Sequence, residues 1–149
     1  MFTGCIDEFF DHRFGRLEYR SLRFEDEIVA GDFQGQAIVN YTELAVPFTR
    51  ICEHKHFAGQ GHLPASVITR EYPTDYAAGA TPYYPVRDAR NAAVYDRYRA
   101  LAASSNVIFG GRLGTFRYYD MHQVIAQAMT LAAAASKDPE SARSVAPLP

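Results

Sequence analysis

The chain has 149 residues, room for one domain with a proper core. Apolar residues make up 48% and charged residues 21%, and the net charge is -2. That is a soluble, globular balance which opposes general nucleic-acid binding, since such binding needs a basic surface. No apolar run approaches the ~20 residues of a membrane span, and no basic-then-apolar leader opens the chain. Nucleic acid and membrane are therefore not expected partners, and the cytoplasm is the expected location.

Met1 to Ile6 reads as a strand entering a turn, an abrupt start of the kind shown by a chain cut from a longer one. Ile6 to Phe14 suits one or two helical turns, with Asp7 as a cap and Gly15 as a stop. Tyr19 to Val29 alternates. Leu22, Phe24 and Ile28 share one face and Arg23, Glu25 and Glu27 the other, which predicts a half-buried strand. Gly31-Asp32 marks a turn. Ala37 to Tyr41, Thr49 to Phe57 and Ser66 to Tyr72 follow as strands, and the short connections between them favour antiparallel pairing. Ala77 to Pro85, with Gly79, Pro82 and Pro85, reads as a loop.

The period then changes. Val94, Tyr95, Tyr98, Leu101 and Ala102 repeat at helical spacing behind a capping Asp88. Asn106 to Gly110 reads as a short buried strand. Asp120 opens a second long helix, with Gln123 placed to complete a capping box and Met121, Val124, Ile125, Ala128, Met129 and Ala132 as its core face. The expected fold class is thus α+β: a mainly antiparallel sheet, then a short strand and two helices. The divisions are a sheet region over 1–87, a helix–strand–helix region over 88–135 and a disordered tail over 136–149.

Cys5 and Cys52 have no metal-ligand spacing and read as two buried thiols rather than a disulfide. His54-Lys55-His56, taken as part of a strand, would put both histidines on one face with Arg50 and Cys52 and no carboxylate. Zinc needs three or four ligands, so the histidines are expected to be structural, or to support a bound anion, and no metal is assigned.

Arg and Tyr recur where a core has little use for them: Arg50 in Pro47-Phe48-Thr49-Arg50, Tyr83 and Tyr84 between Pro82 and Pro85, Arg112 after Gly110-Gly111, and Tyr118 before Asp120. Each lies where a strand-like run meets a turn or a helix start. Guanidinium forks and tyrosine hydroxyls are suited to holding a diphosphate. Asn40, in an apolar strand, needs a hydrogen-bond partner. The glycine pair lets a ligand approach the backbone, and the start of the helix behind Asp120 favours an electron-rich group. The dinucleotide fingerprint G-x-G-x-x-G does not occur in the chain.

Nine strings in series resemble the C-terminal part of the UDP-galactopyranose mutase family. They are Thr3-Gly4-x-Ile6-Asp7, Leu17-Glu18-Tyr19-Arg20-Ser21-Leu22, Val39-Asn40-Tyr41-Thr42, Pro47-Phe48-Thr49-Arg50-Ile51, Glu53-His54-Lys55-His56-Phe57, Thr69-Arg70-Glu71-Tyr72, Pro82-Tyr83-Tyr84-Pro85, Gly110-Gly111-Arg112-Leu113-Gly114 and Tyr118-x-Asp120-Met121-His122. The resemblance implies a flavoenzyme that interconverts UDP-galactopyranose and UDP-galactofuranose. In it the N5 of reduced FAD carries the chemistry as an adduct with the sugar, so no side chain of this chain is assigned a catalytic role. It implies that Asn40 lines the substrate pocket, that Arg50 bridges the UDP diphosphate, and that Tyr118 and one of Tyr83 and Tyr84 donate hydroxyls to the phosphates. Arg112, Tyr119, Asp120, Met121, His122, Gln123 and Val124 would lie against FAD. The family's FAD-binding Rossmann segment and helical insertion are not matched here. The expectation is a fragment, a split-gene half or a truncated paralogue that does not hold FAD by itself, self-associates, and works with an N-terminal half or a full-length subunit. The alternatives are a non-catalytic sugar-nucleotide-binding module and an inactive remnant.

Overall fold

The computed structural model describes residues 1–77 and 79–138. The fold is α+β, with an antiparallel sheet and several helices, as the sequence predicts. The strands are β1 (Tyr19–Ala30), β2 (Ile38–Asn40), β3 (Arg50–Glu53), β4 (Ala65–Asp75) and β5 (Tyr84–Pro85), in the order β2-β3-β4-β1-β5. The helices are α1 (Ile6–Phe9), α2 (His54–Phe57), α3 (Ala89–Ala103), α4 (Gly111–Gly114) and α5 (Met121–Lys137). The chain divides into two compact units, one made of Met1–Arg20 with the described residues after Ala77, the other of Ser21–Ala77.

The first unit is built on aromatic packing. Phe10 stacks on Tyr98, and Phe2, Phe9 and Phe10 all meet the Phe109 ring, with centroids 4.9–6.1 Å apart across the set. Tyr98 is fully buried, and its hydroxyl donates to Gly15 O at 2.9 Å and accepts from Phe14 N at 3.0 Å. Helix α3 begins as expected: the Asp88 side chain accepts from Asn91 N at 2.7 Å, and Tyr98 and Ala102 face inward. Strand β5 is only two residues, paired with Tyr19 and Arg20 inside the stretch expected to be loop.

Further expectations for this unit change. Asp7 is not a cap but a buried acceptor one residue inside α1, where it takes Leu17 N at 3.0 Å, the Tyr19 hydroxyl at 3.2 Å and His12 Nδ1 at 3.2 Å. Asn106 to Gly110 makes only an isolated parallel bridge, Phe2 to Phe109, and the glycine pair runs into the unforeseen turn α4. Helix α5 turns a different face inward. Gln127 and Leu131 are buried while Met121, Ile125 and Met129 are 81%, 60% and 69% exposed. The Gln127 amide donates to the buried Tyr119 hydroxyl at 3.0 Å, and Leu131 packs beside Gly110. Those two anchors set the rotation of the helix. Helix α5 also runs to Lys137, two residues into the expected tail; residues 139–149 lie outside the described set.

In the second unit β2, β3 and β4 form an antiparallel ladder, with Ile51 and Ile68 in its core. Side chains of β1 meet β4 in the same antiparallel sense: Arg23 over the Tyr72 ring, Glu27 with Arg70, and Asp26 with Thr69. The expected buried face of β1 is not buried here, since Phe24 is 46% and Ile28 78% exposed. The third strand ends at Glu53, four residues early, and His54–Phe57 form a helical turn. Charge drives that change. The turn sends Lys55 inward, where its ammonium donates to Gly31 O at 2.8 Å and sits 3.5 Å from Asp32 and 3.9 Å from Glu53. A continued strand would leave the fully buried Glu53 without that nearby cation.

Candidate functional site

The candidate residues fall into two groups, one in each unit. In the second unit Asn40 and Arg50 are directly opposed across β2 and β3, and Arg50 in turn opposes Glu71 on β4. Cross-strand neighbours on one face are a few ångströms apart, so one ligand can reach both. Asn40 is exposed, which corrects the expectation that it must be satisfied inside the sheet: it lies on the edge strand. Arg50 Nε is 3.4 Å from Glu71 Oε1 and makes no hydrogen bond itself. Glu71 also accepts from Thr49 Oγ1 at 3.3 Å. The guanidinium is therefore aimed by an ion pair while its side chain stays 38% exposed.

In the first unit Arg112 is the hub. Its Nε donates to Tyr119 O at 2.7 Å, and its guanidinium lies 5.8 Å from the Tyr84 ring centre and 5.3 Å from that of Tyr118. The Tyr84 and Tyr118 rings are 5.4 Å apart, and Tyr83 adjoins Tyr84 at 6.3 Å. Tyr118 is 57% exposed, so its hydroxyl is open to a ligand. Tyr119 is buried, and its hydroxyl accepts from Gln127, so its contribution to the cluster is the carbonyl that fixes Arg112.

Helix α5 starts beside this cluster in sequence. Asp120 N donates to Gln123 Oε1 at 2.8 Å and the Asp120 carboxylate accepts from the Gln123 N–H, the capping box that the sequence predicts. Val124 N is bonded to Asp120 O at 3.0 Å. The first-turn N–H groups of Met121 and His122 are left at the positive end of a 17-residue helix, and both side chains are exposed. The glycine pair has another explanation than ligand approach. A Cβ on Gly110 would come within 2.8 Å of Met1 Cε and 3.2 Å of Leu131 Cδ1, and Gly111 takes φ of +72°.

Sequence reasoning missed one constellation. Asp32, Glu53 and His56 bring ligand-type atoms within 4.8 Å of one another, with His56 Nε2 2.7 Å from Asp32 and 3.5 Å from Glu53. The Asp32 contribution was invisible because it lies more than twenty residues before His56 and meets it only through the turn at His54. The Lys55 ammonium already supplies a cation there. Burial opposes the charged form of Glu53. The N–H groups of Gln34 and Phe33, with Ser66 and Asp32, outweigh it and hold the carboxyl down at about 2. The cluster reads as an ion-paired clamp on the turn after β1. Cys5 and Cys52 are both free, and burial pushes the Cys5 thiol up to about 12.

Comparison with known proteins gives these groups a context. The family model described as UDP-galactopyranose mutase matches residues 1–118. A Klebsiella pneumoniae protein named "Probable UDP-galactopyranose mutase" is 42% identical over 132 residues, covering 88% of this chain and 34% of that protein. The dTDP-fucopyranose mutase of Escherichia coli is 38% identical over 133 residues, covering 88% of this chain and 35% of that protein. A UDP-galactopyranose mutase of Mycoplasma pneumoniae is 34% identical over 139 residues, covering 89% and 35%. Alignments of that extent necessarily take in every candidate residue from Asn40 to Val124. The chain spans about a third of the length of these relatives. By the match over most of its length, this chain belongs to the UDP-galactopyranose mutase family.

Proposed function

We propose that the chain is the C-terminal part of a nucleoside-diphosphate-sugar mutase that interconverts UDP-galactopyranose and UDP-galactofuranose in the cytoplasm. The observation that carries this reading is the Arg112–Tyr84–Tyr118 cluster, in a chain whose family match runs through it. Arg50 binds the diphosphate, and Asn40, opposite it, lines the sugar side of the pocket. Tyr118 and one of Tyr83 and Tyr84 donate hydroxyls to the phosphates.

The donor set fits part of a flavin site. Arg112 is clamped by the Tyr119 carbonyl, and Met121 and His122 offer helix-start N–H groups, which suits an electron-rich ring edge. Tyr119, Asp120, Gln123 and Val124 hold that helix start in place. Reduced FAD, if bound, would supply a nucleophilic ring nitrogen, N5. This chain's residues orient the nucleotide sugar and hold the charge of the leaving diphosphate.

The test is a chimera joining the N-terminal two thirds of the Klebsiella protein to this chain, assayed with reduced FAD for furanose formation. Activity that falls on Arg50→Ala and Tyr118→Phe supports the reading; an inactive chimera that folds and binds FAD overturns it. The similarity to a dTDP-fucopyranose mutase supports a second reading for the substrate, so the same assay includes dTDP-fucose. UDP binding by this chain alone, without flavin, would instead favour a non-catalytic sugar-nucleotide-binding module.

A further inference from the structure

Glu71 stands opposite Arg50 in the β3–β4 register, on the side of the ladder that also carries Asn40. Its side chain is only 14% exposed, so the carboxylate is largely withdrawn from water. A charge in that position needs a nearby cation and hydrogen bonds. Among the described residues the cation is Arg50, whose Nε lies 3.4 Å from Glu71 Oε1. The hydrogen bond comes from Thr49 Oγ1 at 3.3 Å, and Thr49 N donates to the Glu71 carbonyl at 2.8 Å. Thr49 thus fixes both the backbone and the carboxylate of Glu71. The Arg50 Nε is itself shut off from water and makes no hydrogen bond. A buried donor without an acceptor is costly, and the adjacent carboxylate is what offsets that cost. Without Glu71 the Arg50 side chain gains by swinging its Nε out into solvent.

We propose that Glu71 is the positioning residue for Arg50 in nucleotide-sugar binding. It holds the guanidinium in its binding rotamer before the ligand arrives, and Thr49 holds Glu71. The inference rests on the reading of Arg50 as the diphosphate residue given above. Two effects compete. A carboxylate near an anion site repels the anion, whereas an arginine that is already ordered loses less side-chain freedom on binding. The repulsion acts over a longer distance than the ion pair, and at a side chain 38% exposed it is screened by salt. Ordering therefore wins, and removing Glu71 weakens binding.

Two measurements separate this inference from the reading it rests on. The first needs no ligand: hydrogen exchange at the Arg50 side-chain Nε–H of residues 1–149, followed by nitrogen-15 NMR. A protected signal is expected in the wild type and in Glu71→Gln, which keeps an acceptor in place, and is expected to be lost in Glu71→Ala. The second is the UDP affinity of the Klebsiella chimera. Glu71→Ala should weaken it about fivefold and Glu71→Gln by about twofold or less. In an Arg50→Ala background, Glu71→Ala should cause no further loss. A variant that merely misfolds would lose affinity in that background too. Unchanged exchange in Glu71→Ala, a gain in affinity, or an equal loss without Arg50 overturns the inference. Exchange that changes as expected, with a UDP affinity indifferent to Arg50→Ala, overturns the diphosphate reading and the binding role of Glu71 with it.

Discussion

Glu53 shows how one side chain can organise a turn and be legible only in three dimensions. The sequence offers a lone Glu in the middle of an expected strand, next to His54-Lys55-His56. The structure buries it completely and gives its two oxygens the N–H groups of Phe33 and Gln34 at 3.0 and 2.8 Å. Its carboxyl is held at about 2 against an ordinary 4.5. The sign of the linkage follows. The folded state favours the carboxylate, so this stabilisation is complete above pH about 4.5 and is lost as the pH falls towards 2. Thermal melts should show wild-type stability dropping across that window. Glu53→Gln should be less stable at neutral pH and nearly flat across the same window; a variant that keeps the wild-type acid slope would show that other carboxylates cause it. Arg50 is the functional counterpart. A charge-assisted hydrogen bond contributes roughly 1.5–3 kcal/mol, so Arg50→Ala in the chimera should weaken UDP affinity by about one to two decades. Unchanged affinity in a UDP titration would remove Arg50 from the diphosphate site.

At the level of elements, the caps of the two long helices were legible, whereas the cap at Asp7 and the rotation of the helices were not. Asp88 and Asp120 announce α3 and α5 because a cap depends on residues within one turn. The capping box at Asp120 also fixes where the candidate flavin contacts begin. Asp120→Ala should therefore cost roughly 1 kcal/mol of stability, seen as a lower urea midpoint, and Gln123→Ala a comparable or smaller amount. An unchanged midpoint would mean that α5 is held by Tyr119–Gln127 and Leu131 alone. The helix's apolar stripe was read correctly as a stripe and wrongly as its buried face. Periodicity says that Met121, Ile125 and Met129 share a side, not which neighbour covers them. The same holds for Phe24 and Ile28 on β1. The third strand failed for another reason: His54-Lys55-His56 has no local signal to end a strand, and the charge of Asp32 that draws Lys55 inward comes from a distant turn.

For the whole molecule, those misread faces bear on how the chain behaves by itself. The relatives it matches are about three times its length, and the apolar stripe on α5 is well exposed in this chain. Exposed apolar patches and sheet edges promote association. The edge of its sheet at β2 is three residues long, so the helix stripe is the stronger candidate for contact. Flavin retention depends on more than Arg112 and the start of α5, since this chain carries no G-x-G-x-x-G to cradle a pyrophosphate. Residues 1–149, purified and desalted after exposure to FAD, should therefore be colourless, should elute in sedimentation or light-scattering measurements as more than a monomer, and should form no furanose with dithionite-reduced FAD. Met121→Gln with Ile125→Gln should shift the distribution towards monomer without loss of helical signal, because neither side chain is buried here. Mixing with the N-terminal two thirds of a relative should restore the flavin spectrum and suppress self-association together, since on this account one surface serves both. A yellow, monomeric and active preparation of the chain alone would show that Arg112, the tyrosines and the α5 start suffice to hold the cofactor. Association that survives the double substitution would move the contact away from α5.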